Sequence, residues 1–219
     1  TVPYVCNADL SGTVLEIHME MEIFGTTPDS VEPNKEFQIT DSYTVTTMDE
    51  TATTALKAVA NPLTGQVTKF ELNVDNAVNP TDNSNVVNVA STPIDIPETL
   101  IGEDAKTVSF RVPESGFQTV NLKASDGGTI TIKAGQVDTT MNTMLGEVNA
   151  SCNPAEGADT TLNVIQIEES SEEDTVAPVI TLNGDNPMEL EVGDAFVDPG
   201  ATATDDVDGD LTDAIVVTG

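Results

Sequence analysis

Residues 13 to 24 read TVLEIHMEMEIF, and the alternation in this stretch decides the fold. Leu15, Ile17, Met19, Met21 and Ile23 fall on one face, with Glu16, His18, Glu20 and Glu22 on the other. Successive side chains of an extended strand point to opposite sides, so this is a strand with one face in a core and one in water. Phe37, Ile39, Tyr43 and Val45 repeat the period after a turn at Pro33-Asn34, and Phe70, Leu72 and Val74 repeat it after a turn expected at Thr64-Gly65. Val108, Phe110 and Val112 form another strand, followed by turn signals from Pro113 to Gly116 and then by Phe117, Val120 and Leu122. Asp126-Gly127-Gly128 predicts a hairpin from that strand into Ile130 and Ile132. Leu162 to Ile167 supplies a closing strand, and ETATTALKAVA, residues 50 to 60, predicts a short helix across one end of a sandwich. The fold class expected is all-β.

Composition agrees. The chain has 219 residues, of which 38% are hydrophobic, enough to build a core and too many for disorder along the whole length. Asp and Glu number 38 against 7 Lys and Arg, for a formal net charge of −31. Such a surface repels polyanions and lacks the cations whose phosphate contacts release counterions, which excludes nucleic acid and anionic membrane surfaces as partners. One His, no Trp and two Cys exclude a His-rich metal centre and a cysteine-rich zinc module. The sequence has no apolar run near the ~18 residues that a membrane span needs. It also has no nucleophile elbow, Cys-His pair or P-loop pattern, and among 38 acids no catalytic carboxylate pair is singled out.

Cys6 and Cys152 lie near the two ends of one long segment. Two readings are open, a pair of buried thiols or a disulfide clipping the first strand to the last part of the segment, and the second is the one expected here. A bridge over so long a loop restricts the unfolded chain by about 4 to 5 kcal/mol on the entropic account. It also requires an oxidising compartment, so the protein is expected to be secreted, with any signal peptide removed before Thr1. At Glu168 the strand pattern gives way to EESSEEDT, which has nothing to bury. The organisation expected is a disulfide-clipped β-sandwich domain over 1–167, an acidic linker over 168–174 and a second domain over 175–219. Strands are expected there at Val179 to Leu182 and at Met188 to Val192.

From Asp174 the chain reads DTVAPVITLNGDNPMELEVGDAFVDPGATATDDVDGDLTDAIVVTG. This stretch resembles the bacterial Ig-like surface domains found as tandem repeats in secreted and cell-wall proteins, through its D-x-x-x-P-x-I-x-L start, its V-G-x-x-F-x-D-P-G-A centre and its A-x-D-D-x-D-G-D-L-T block. The resemblance covers about the first half of such a module. It implies an incomplete Ig-like β-sandwich, continued either by further strands of a longer repeat protein or by a neighbouring molecule. Tyr4-Val5-Cys6, Pro28, Val31 and Phe37, and Cys152-Asn153-Pro154 make the N-terminal part similar to exported β-sandwich domains of Gram-positive surface proteins, a resemblance that implies no activity.

Asp205, Asp206, Asp208 and Asp210, in TDDVDGDLTD, form the one dense set of oxygen ligands, with Asp198 and Asp213 nearby in sequence. Hard carboxylate oxygens on a tight turn suit Ca²⁺, although Gly209 directly after Asp208 departs from the EF-hand spacing and Asp-Gly is also ordinary turn chemistry. Both readings, a calcium site and a solvated turn, are carried forward. His18 between Glu16 and Glu20 is read as a surface residue, because no second His completes a zinc site. With no Trp, only Tyr4 and Tyr43 could serve as a sugar-stacking platform, and Asn149-Ala150-Ser151 is a lone glycosylation sequon.

The function expected is a non-enzymatic extracellular structural protein of a bacterial surface: a stalk, surface layer or filament subunit that meets copies of itself or other surface proteins. An adhesin or ligand-binding module recognising a host or glycan partner, with Ca²⁺ stiffening the Asp-rich turn, is the alternative. The non-catalytic part of a secreted hydrolase is a third.

Overall fold

Strand β1 (Val2–Leu10) turns straight back into β2 (Thr13–Thr26), and the two run antiparallel with Cys6 opposite Ile17 and Leu10 opposite Thr13. The structure, a computed structural model, describes residues 1–10, 12–59, 63–89, 92–96, 104–113, 116–169 and 175–218. Contacts divide the chain into two units, Thr1–Ser170 and Ser171–Gly219.

In the first unit there follow β3 (Ser30–Val31), β4 (Glu36–Met48), helix α1 (Glu50–Val59), β5 (Leu63–Asp75), β6 (Ala77–Val78) and β7 (Val86–Asn88). Then come β8 (Thr92–Ile96), β9 (Val108–Val112), β10 (Val120–Ala124), β11 (Thr129–Thr143), β12 (Gly146–Pro154) and β13 (Thr161–Ile167). Hydrogen-bonded neighbours run β9-β4-β2-β1-β12-β11-β5-β8, all antiparallel. The first half of β4 carries β10 and then β6, while the first half of β11 carries β13 and then the parallel β3. The outer members β8 and β9 approach each other, and no ladder joins them among the described residues. Phe117, just past β9, stacks its ring at a tilt on Phe70 of β5 with centroids 5.2 Å apart. The sheet thus curls until its inner faces share one core, an all-β sandwich rolled towards a barrel.

The alternation in β2 is kept: Glu16, His18, Glu20 and Glu22 are exposed, and Met21 is buried. The centre of the core holds Tyr4, Leu63, Leu122, Ile130 and Ile165, each with less than 2% of its surface exposed. Asp49 caps α1, its carboxylate accepting the Ala52 N–H at 2.7 Å, and this fixes the helix where the sequence predicts one. The far end of α1 is tied to the β11–β12 turn, where Met144 N–H donates to the Val59 carbonyl at 3.1 Å.

Two turn expectations are corrected. Asp126-Gly127-Gly128 does follow β10 and precede β11, but the two strands do not pair: β10 pairs with β4 and β6, β11 with β5, β12 and β13. A turn reverses the chain locally, whereas the partner is chosen by where the apolar face is buried, and here the reversal carries the chain from one ladder to another. Thr64-Gly65 lies inside β5 rather than in a turn. A side chain at Gly65 would place its Cβ 2.2 Å from the Thr140 carbonyl oxygen, so glycine marks a close approach of β5 to β11.

In the expected linker, Glu168 still belongs to the first unit. Its N–H donates to the Val31 carbonyl at 2.8 Å, and its carboxylate accepts the Ser30 hydroxyl at 2.6 Å. Residues 170–174 of that linker lie outside the described residues.

The second unit contains a three-stranded antiparallel sheet of β14 (Val179–Leu182), β15 (Ala201–Asp205) and β16 (Gly209–Asp210), ending in a single 3-10 turn at Thr212–Ala214. The strand expected at Met188 to Val192 is not formed, since this segment has no ladder partner among the described residues. Ala203 is buried, but Val179, Ile180 and Leu182 of β14 are 62%, 62% and 59% exposed.

Candidate functional site

The two cysteines sit at the same level of adjacent strands. Cys6 of β1 and Cys152 of β12 are register partners, bonded to each other and almost fully buried. They belong to one row of inward side chains that crosses five strands: Ile17, Cys6, Cys152, Val137 and Phe70. Above this row, the Tyr4 hydroxyl donates to the Gly135 carbonyl at 2.9 Å, and burial raises the phenol pKa well above its ordinary value. Gly135 lies at a bulge of β11, where a Cβ would meet Glu71 and Asn73 of β5 at under 3 Å.

The four aspartates of the acidic cluster lie on the β15–β16 hairpin and its turn. One oxygen of Asp205 accepts the N–H groups of Val207 and Asp208 at 2.9 and 3.0 Å, and these bonds hold its pKa below the ordinary carboxylate value. Asp210 accepts the Thr212 N–H at 3.0 Å, and its pKa is lowered by the side-chain and backbone bonds of Thr212. Asp198, further back, accepts the Gly200 N–H in the same way. These carboxylates close turns. The second oxygen of Asp205 is buried and has no hydrogen-bond partner. Among the described residues no three His, Cys, Asp or Glu side chains come together as a metal-binding set.

His18 meets only one of its expected neighbours, its Nε2 lying 3.0 Å from the Glu16 carboxylate with both side chains about 60% exposed. Neither tyrosine offers an open platform. Tyr4 is buried, and Tyr43 is stacked on Phe24 at 4.7 Å with the Arg111 guanidinium 3.7 Å from its ring centre. Asn149 of the sequon is exposed on β12, with its side-chain oxygen accepting the Thr140 hydroxyl at 2.7 Å.

The feature that sequence reasoning missed is a cavity of about 150 Å³ within the curled sheet. Eight strands, β9-β4-β2-β1-β12-β11-β5-β8, and the inner side of α1 all contribute to its wall. Among the described residues no charged side chain lines it; the polar groups there are the hydroxyls of Thr44, Thr46, Thr139 and Thr143. Its signal was present in the sequence as small residues at inward positions of long strands, but these gain meaning only once the strands are known to surround a common axis.

Fold and site together define a disulfide-bridged, all-β protein with a separate small sheet unit and no assembled metal-binding set among the described residues. Residues 3–163 match the model of a family of unknown function (DUF6801), and the chain belongs to that family. Residues 180–219 match the bacterial surface protein Ig-like domain. The chain is accordingly an extracellular protein of the bacterial cell surface. No curated protein matches. A Corynebacterium diphtheriae crystal structure, of a protein named as membrane anchored, is similar at 14% identity with a TM-score of 0.47 over 93% of this chain; the match spans 42% of that protein. Among the described residues no helix is long and apolar enough to cross a membrane.

Proposed function

We propose that this chain is a non-enzymatic structural component of the cell surface, in which the disulfide-bridged sandwich is carried alongside Ig-like units that assemble through their sheets. The observation that carries the reading is β14, at one end of its sheet with apolar side chains exposed on both faces, Ile180 and Leu182 on one and Val179 on the other. An edge strand whose outer side has no ladder partner among the described residues, with apolar side chains in water, is a template for a further strand, and a repeat protein or a filament supplies one. The partner in this reading is another Ig-like unit, from the same polypeptide or from a second copy.

Sedimentation velocity of the purified chain over a range of concentrations tests the version in which copies meet. Association that is lost in Ile180→Glu, with the first unit's melting unchanged, is the expected result. A strict monomer at high concentration counts against it.

Calcium enters this reading as a stabiliser of the Asp205, Asp206, Asp208 and Asp210 hairpin, on the strength of the partnerless buried oxygen of Asp205. Titration with Ca²⁺ and with chelator should raise and lower the melting temperature of the second unit, and Asp208→Asn should remove the rise. No change in either removes the metal. The alternative, a ligand-binding surface module, is favoured by a different observation, the cavity in the first unit.

A further inference from the structure

We propose that the cavity in the first unit binds one alkyl chain of a dispersed amphiphile with an uncharged head. The site is independent of the Ig-like unit and of the assembly reading, which rests on β14.

The first argument is chemical. The net charge is −31, yet among the described residues no carboxylate enters the cavity wall. The hydroxyl of Thr44 is turned back to the Val112 carbonyl at 3.2 Å, so it presents little polarity to a guest. Closed apolar cavities of about 150 Å³ stay dry and take a guest the size of benzene, and the space here has that volume with a mainly apolar wall. Water is a poor occupant, and a six-carbon apolar group is a good one.

The second argument is shape. Along β1 the wall runs from Cys6 to Leu10, four residue steps or about 13 Å. The space is therefore long and narrow, which suits an alkyl chain better than a fused ring. It persists because small side chains, Ala8, Ala52, Ala55 and Ala150, stand where a filled eight-strand interior has bulky ones. Met19, Met21, Met48 and Met141 line it as well, and their unbranched thioethers adjust to a guest at little cost.

The third argument is access. Cys6 and Cys152 are buried, while towards the β1–β2 and β11–β12 turns Leu10, Leu15 and Met141 are half-exposed although they face inward, as are Ile17 and Met19 along β2. Those two turns lie at the same end, because β1 and β12 pair with Asp9 opposite Asn149. Met144 and Leu145 form the tip of the second turn and are 58% and 65% exposed. A chain entering here would leave its head at a mouth flanked by the exposed carboxylates Asp9, Glu16 and Glu147, which disfavours an anionic head. The overall charge likewise keeps the protein off anionic bilayers, so the guest is taken as a dispersed molecule.

The test is calorimetric titration of the full chain with alkyl β-glucosides from methyl to decyl, each below its micelle concentration. Affinity should be absent for the methyl compound. It should then rise about fourfold per added methylene until about six carbons are inside, where the increments flatten. Ala150→Phe should fill the space and weaken hexyl glucoside at least tenfold. Met141→Ala should enlarge it and move the flattening to longer chains, which keeps the proposal testable should the Phe variant fail to fold. Absence of saturable binding by the wild type overturns the proposal. A chain-length series unchanged in both folded variants overturns it too, since the chain would then lie on the outer surface.

Discussion

Cys6 and Cys152 are direct cross-strand partners, so the covalent link lies within one sheet, between neighbours that the ladder already holds 3.8 Å apart at Cα. What the bond adds is topological. It joins positions separated by 146 residues, so nearly the whole first unit is enclosed in one covalent loop.

Removing both cysteines therefore acts mainly on the unfolded chain. Cys6→Ala with Cys152→Ala should destabilise the first unit by about 5 kcal/mol on the loop-entropy account. Urea denaturation should show this as an earlier transition of that unit, with the transition of the Ig-like unit unmoved. A double variant as stable as the wild type would show that the bridge is incidental to the fold.

Gly65 and Gly127 make a matched pair of substitutions. Gly65→Ala forces a Cβ to 2.2 Å from the Thr140 carbonyl, while a Cβ at Gly127 meets nothing within 4 Å. Displacing packed strands costs about 1 to 3 kcal/mol, so the melting temperature should fall clearly in the first variant and little in the second.

Tyr4→Phe leaves the Gly135 carbonyl buried without its donor, at a cost of about 1 to 3 kcal/mol. The wild-type phenol has its pKa raised by burial, so the folded state favours its neutral form. The stability linked to that preference is complete below the unfolded value of about 10 and is lost as pH rises beyond it. Ultraviolet titration should find Tyr4 ionising only with unfolding of the unit, and ionisation near pH 10 in the folded protein would contradict the buried contact.

Acid should act in the opposite direction on the Ig-like unit. Asp205 and Asp210 have lowered pKa values in the fold because their carboxylates accept backbone and Thr212 bonds. The stability they contribute is present above the unfolded value near ~4 and is lost as pH falls through the lower folded values. Acidification also relieves repulsion among the many acids, so the informative quantity is the difference between wild type and the double variant Asp205→Asn with Asp210→Asn. That difference should shrink below about pH 4; a constant difference from pH 7 to pH 2 would mean that the two carboxylates do not titrate with folding.

The sequence by itself determined the alternation of β2. The run from Leu15 to Ile23 has one apolar and one charged face whatever it pairs with, because a pleated chain alternates its side chains. Helix α1 was legible for a similar reason: its alanine and leucine content acts within a few residues. The pairing of Cys6 with Cys152 was legible from there being two cysteines and no more. Tertiary structure alone decided which strands are neighbours. Asp126 to Gly128 has the chemistry of a hairpin turn yet joins two strands that do not pair, and Gly65 resembles punctuation yet is a point of close contact. The cavity is the furthest from the sequence, because Ala8, Ala52 and Ala150 leave a space only when β1, α1 and β12, distant along the chain, face one axis. Local stereochemistry fixes what each segment is, and non-local burial fixes what it meets.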